Sequence, residues 1–174
     1  MKSVRISLFI LSAVFSVSVS AGDNIAIGFS PGESAQRLIL NLIAGAGQTL
    51  DVAAYEFTSR PVAQALISQS QRGVAVRLVA DEKVSHDRYS LVFLLACSGV
   101  PVRTDDRYNI MHNKFIVADG MNTETGSFNY TSSAEKRNAE NALAVFDNKA
   151  VAAEYNAEFE RLWSESAPVM CQDK

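Results

Sequence analysis

Two cysteines, two histidines, four prolines and one tryptophan are all that the 174 residues hold of those types. So few histidines and cysteines, none paired at ligand spacing and with no H-E-x-x-H, argue against a His- or Cys-rich metal site. Four prolines and nine glycines exclude a collagen-like or proline-rich chain. No segment recurs at a fixed period, which excludes a solenoid or propeller. There is no excess of positive charge either. Sixteen Lys and Arg face nineteen Asp and Glu, a formal net charge of −3, so the chain lacks the overall signature of a nucleic-acid binder. A charged fraction of 20% with 48% hydrophobic residues is not the composition of a disordered chain. What is left is one globular domain, long enough to bury its own core.

The longest apolar run lies at the start. Lys2 and Arg5 precede residues 6–19, which are almost wholly apolar or small, and Val19-Ser20-Ala21 offers the small residues a signal peptidase reads. The run is shorter than the roughly 20 residues of a spanning helix. Residues 1–21 are therefore read as a signal peptide cleaved after Ala21, with an uncleaved anchor as the alternative. The mature domain, 22–174, is expected in the periplasm or secreted, with no stable membrane association. It would carry fourteen basic and nineteen acidic residues, unevenly spread. Residues 72–114 hold seven basic and five acidic, whereas 138–174 hold three and seven. Export also bears on Cys97 and Cys171. An oxidising compartment and an even count predict a disulfide between them, worth on the order of 4 kcal/mol in the chain-entropy model. The alternative is a buried Cys97 and a free Cys171.

Along the mature chain, strands are expected at 24–29, 49–55, 74–80, 100–103, 113–118, 123–128 and 142–146. The first helix is expected from a cap at Ser30, with Pro31 at its first position and Glu33 closing a capping box, to a stop at Gly45. A second helix opens at Ser59-x-Pro61 and ends at Gly73, a third covers 88–98, and a last one covers 150–163. Val151, Tyr155, Phe159 and Leu162 recur there at helical spacing, a core stripe with no functional role, and Trp163 is a packing residue. Strands alternating with helices in the first half predict an α/β sandwich. Its sheet is expected to be mixed and largely parallel, with helices on both faces.

The chemistry concentrates between Met111 and Asn141. His112 and Lys114 are two apart, as are Ser127 and Asn129, and residues two apart on a strand share a face. If the two strands form a hairpin, an imidazole, an ammonium, a hydroxyl and an amide meet. That set suits a tetrahedral phosphoryl group: cation and donors hold the anionic oxygens, and the imidazole attacks or carries a proton. Gly126 is expected to let the backbone approach the ligand. Each residue alone has an ordinary explanation as a structural histidine, a surface lysine or acid, or a turn residue. Their joint spacing is what points to catalysis. His86 has no lysine two residues on and is read as a loop histidine.

His112-x-Lys114, Asp119 and Gly126-Ser127-x-Asn129, six residues over 18 positions, resemble the HKD motif of the phospholipase D superfamily. The stretch from Asp51 to Ser59, Arg72-Gly73-Val74 leading to Asp81, and Asn138-Ala139-Glu140-Asn141 further resemble its small bacterial secreted endonucleases. The resemblance implies a phospholipase D/nuclease-like fold and a metal-independent phosphodiesterase without cofactor. It implies DNA (or RNA) as substrate, cleaved without sequence preference through a phosphohistidine. Only one motif is present, so it further implies a homodimer with both His112 side chains at one shared site. His112 is then nucleophile and, from the other subunit, general acid/base. Lys114 and Asn129 hold phosphoryl oxygens, Ser127 donates to them, Glu140 orients the imidazole, and Asp119 belongs to the motif with a structural or interface role. The competing functions are a small phospholipase D acting on lipid head groups and a non-catalytic phosphate- or DNA-binding protein.

Overall fold

The structure, a computed structural model, describes residues 24–171, so the expected signal peptide lies outside the described residues. Eight strands form one sheet. They are β1 (Ile25–Ser30), β2 (Thr49–Ala54), β3 (Ala75–Asp81), β4 (Val102–Asp105), β5 (Lys114–Ala118), β6 (Asn122–Gly126), β7 (Glu140–Val145) and the two-residue β8 (Ala167–Pro168). Six helices accompany them: α1 (Ser34–Gly45), α2 (Arg60–Gln71), α3 (Glu82–Ser85), α4 (Val92–Cys97), α5 (Ser132–Lys136) and α6 (Lys149–Glu165).

The strand order is β1-β7-β6-β5-β2-β3-β4-β8. Only the β2–β3 and β3–β4 pairs are parallel. The other five are antiparallel. The sheet is thus mixed but mostly antiparallel, which corrects the largely parallel sheet expected from the alternation of elements. Parallel pairs need a crossover, and helices carry the chain from β2 to β3 and from β3 to β4. Between β5 and β6 the chain turns straight back, whereas residues 127–139, which include α5, join β6 to β7.

Helices do cover both faces. On one, α1 and α2 bury Ile39, Leu42, Ile43, Val62 and Leu66 against Leu50, Val52, Leu78 and Ile116. Gln69 of α2 donates to the carbonyls of Ile43 (2.5 Å) and Ala46 (3.2 Å), satisfying the open end of α1. On the other, α6 lays Ala152, Phe159 and Leu162 over Ala53, Val79, Phe115 and Val117. Arg77 reinforces that docking. It pairs with Asp51 (2.7 Å) and Glu160 (2.6 Å) while its guanidinium lies 4.8 Å from the Phe159 ring. Truncating Phe159 to alanine should cost about 3–5 kcal/mol. A disulfide joins Cys97 at the end of α4 to Cys171.

Two helix starts differ from expectation. Ser30 ends β1, and α1 begins three residues after Pro31, because the Ser34 hydroxyl bonds back to the backbone of Phe29 and fixes the turn. The third expected helix shrinks to α4. Asp87 accepts the Tyr89 amide at 2.8 Å, and that local turn replaces the first helical turn.

Candidate active site

The site forms where β5 starts and β6 ends. Lys114 opens β5, and His112 lies just before it rather than on the strand. Asp81, at the C-terminal end of β3, sets that entry. One carboxylate oxygen accepts the Val84 amide and caps α3, and the other accepts the Met111 amide at 2.8 Å. Asp81 and Met111 are both nearly fully buried, so the residue preceding His112 is clamped on a rigid strand end. His112 emerges exposed, its ring 4.6 Å from that of Tyr55, which follows β2.

Lys114 points back beneath the histidine. Its ammonium donates to the His112 carbonyl at 2.7 Å, lies 5.4 Å from the Tyr55 ring, and the residue is 7% exposed. Burial pulls the ammonium below the ordinary lysine range, opposed by the Glu140 and Glu56 carboxylates. The two acids keep the buried ammonium charged, and that charge is what an incoming anion would meet.

The second half of the motif comes from the chain after β6. The Ser127 hydroxyl donates to Glu140 at 2.6 Å and accepts the Asn141 amide at 3.1 Å. Glu140 also accepts from the Asn138 side chain at 2.9 Å. Expected to orient His112, Glu140 is held instead by Ser127 and Asn138 within this chain. Asn129 sits between the fully buried Phe128 and Tyr130, and its side-chain carbonyl is buried without a hydrogen-bond partner among the described residues. Tyr130 anchors this segment twice. Its carbonyl accepts the Thr58 and Ser59 amides, and its hydroxyl donates to the buried Glu124 at 2.9 Å.

Gly126 has a role other than ligand approach. A Cβ there would fall 2.1 Å from the Asn141 carbonyl oxygen, so glycine is what lets β6 and β7 close beside Ser127. Asp119 is not brought to the site. It lies past the far end of β5, a five-residue strand about 17 Å long. There its carboxylate accepts the Gly47, Gln48 and Thr49 amides at 2.7–2.9 Å. Burial opposes its charge, but those three amides outweigh it and hold the carboxyl below its ordinary range. Asp119 is a clasp on the α1–β2 turn.

His112, Lys114, Gly126 and Ser127 line one cleft of about 520 Å³, closed on its far side by Glu154, Tyr155 and Glu158 of α6. Asn129 and Glu140 are not among the residues that line it. Among the described residues, no group of three or more His, Cys, Asp or Glu is arranged to hold a metal ion. No described helix is long and apolar enough to cross a membrane. Sequence reasoning missed Asp81 as the support of the histidine. Asp81 stood out in the sequence only as the acid ending the apolar run Leu78-Val79-Ala80 and as part of the resemblance to the small nucleases, neither of which gave it a role.

Residues 39–163 match the family described as "Cardiolipin synthase, PLD-like domain". The chain belongs to the phospholipase D superfamily. It is 36% identical over 136 residues to a mitochondrial cardiolipin hydrolase of Xenopus tropicalis, covering 78% of this chain and 64% of that protein. It is 33% identical over 135 residues to a phospholipase D of Rickettsia prowazekii, covering 78% and 66%. The chain thus spans just under two thirds of the length of these curated relatives. Among solved structures it is similar to Nuc from Salmonella typhimurium, a phospholipase D family member. There the TM-score is 0.82 and the identity 34%, over 84% of this chain and 97% of that one.

Proposed function

We propose that the protein is a phosphodiester hydrolase, a DNA endonuclease that works without a metal through a phosphohistidine, as a homodimer in the periplasm or outside the cell. The observation that carries this reading is the pairing of an exposed imidazole, His112, with a buried ammonium, Lys114, at one cleft of a phospholipase D superfamily fold. In the first step a His112 nitrogen attacks phosphorus and the bond to the leaving oxygen breaks. His112 of the partner subunit gives that oxygen its proton. In the second step the same partner histidine takes a proton from water, the water oxygen bonds phosphorus, and the P–N bond breaks. Lys114 and the Asn129 and Ser127 side chains stabilise the non-bridging oxygens as charge builds on them. Ser127 must let go of Glu140 to do so, which frees that carboxylate to face an imidazolium.

One surface supports the dimer. On edge strand β1, Ile25, Ile27 and Phe29 are 55%, 59% and 62% exposed. Through the register they share a face with Leu143 and Val145 of β7 and Thr125 of β6, the last of which lines the His112 cleft. α6 covers Phe115 and Val117 of the same face but not this end. A second copy seated there buries a large apolar patch beside the histidine and supplies the second imidazole.

The same patch supports a second reading, a lipid phosphodiesterase with acyl chains on β1, in line with the names of two of the relatives. Plasmid nicking by purified protein in excess EDTA, beside His112→Ala and with cardiolipin liposomes in parallel, separates the two. EDTA-resistant nicking that is lost in the variant is expected. Phosphatidate release from liposomes with no nicking overturns the nuclease reading.

A further inference from the structure

The two sides of His112 differ in charge. The cleft toward α6 presents Glu154 and Glu158. On the other side a separate cleft of about 740 Å³ lies between the start of α2, the α3–α4 turn and the start of α5. Arg60, Lys83, Arg88 and His86 line it against the two carboxylates Glu56 and Asp87. Asp87 accepts the Tyr89 amide, His86 meets Glu82 at 2.7 Å, and Lys83 donates to the Asn109 carbonyl at 2.8 Å with two N–H groups left over. Glu56 directly follows Tyr55, whose ring lies 4.6 Å from that of His112, and this places the inner end of the cleft beside the phosphate site. Thr131, two residues past Asn129, lies on the same wall. On the outer wall Tyr89 is 63% exposed, with the Arg88 guanidinium 4.4 Å from its ring.

An exposed aromatic beside a row of cations, leading from a phosphodiester site, is the arrangement that tracks a single nucleic-acid strand. Cations follow the phosphates, and the ring takes a base out of solvent. A duplex keeps its bases stacked and offers the ring nothing. We propose that this cleft is the strand-binding subsite, with Arg60, Lys83 and Arg88 on backbone phosphates flanking the scissile one and Tyr89, backed by Arg88, stacking a base. This rests on the nuclease reading and adds to it a preference for single strands. In a chain of negative net charge, this cleft's three Lys and Arg outnumber its two carboxylates.

Fluorescence anisotropy with a labelled oligothymidylate, the matching duplex and anionic vesicles tests it on the full chain. Tyr89→Ala should weaken single-strand binding about tenfold and leave duplex binding where it was. Arg60→Ser with Arg88→Ser should lower the logarithmic salt slope by about 1.4, or 0.7 per lost phosphate contact on a single strand. In turnover, the losses should be confined to substrates long enough to reach the cleft, and bis(p-nitrophenyl) phosphate is too small. Unchanged single-strand binding by Tyr89→Ala, an equal loss on duplex, or loss of vesicle binding alone overturns the proposal. Wild type that binds oligothymidylate through Tyr89 yet cleaves no diester overturns the nuclease reading and leaves the cleft standing.

Discussion

Replacing Glu124 by glutamine should make the protein more stable than wild type in mild alkali. Glu124 is 1% exposed, and the Tyr130 hydroxyl donates to it. Burial pushes its carboxyl up to about 8, and the Tyr130 hydrogen bond only partly opposes this. In the unfolded chain the group titrates near its ordinary 4.5. Between those values the folded protein holds one proton more than the unfolded chain, so stability falls as pH rises. At 1.36 kcal/mol per pH unit the loss reaches about 5 kcal/mol by pH 8 and then levels off. Glutamine keeps the shape and the acceptor for Tyr130 but does not titrate. Urea unfolding of both proteins from pH 5 to pH 9 reads the difference directly. Wild type and variant should be close at pH 5, and the variant should gain steadily to pH 8. A difference that does not vary with pH would refute the buried neutral carboxyl beneath Asn129 and Tyr130.

Other consequences are as direct. Gly126→Ala should destabilise by about 3 kcal/mol, since the new methyl meets backbone that cannot swing away, as denaturant titration would show. Asp119→Ala should cost about 2 kcal/mol by removing a charged acceptor from three amides. Turnover of the folded enzyme should be unchanged, and a selective loss of kcat would return Asp119 to the catalytic group. Cys97→Ser should lower stability by about 4 kcal/mol and abolish the effect of reductant on the melting temperature.

The site was legible because its motif is local. Lys114 and Gly126 lie on the paired strands β5 and β6, with His112 just before the one and Ser127 just after the other, so a hairpin read from the spacing brings these four to one cleft. The second helix was legible for the same reason, with Ser59 accepting the Val62 amide as its cap. What spacing does not carry is pairing between distant segments. Nothing local states that β2 lies between β5 and β3, so the antiparallel majority of the sheet was missed. Ser30-Pro31-Gly32-Glu33 has the composition of a capping box, yet a tertiary constraint wins. Gly28 packs so tightly on Ala35 that α1 must start where that contact allows. Tyr55, Glu56 and Asp81 reach the site only through the sheet order, and Asp119 leaves it for the same reason. The cleft takes Arg60 from α2, Lys83 from α3 and Arg88 from the turn before α4, so only the folded chain gathers its charges.

The central claim is a double displacement at His112, and the stereochemical course at phosphorus tests it most directly. An oligonucleotide with one phosphorothioate of known configuration at the scissile position, cleaved in oxygen-18 water, reports whether phosphorus is inverted once or twice. Two in-line displacements through a phosphohistidine predict net retention. Net inversion would mean that water attacks phosphorus directly, and His112 would then be a base and not the nucleophile.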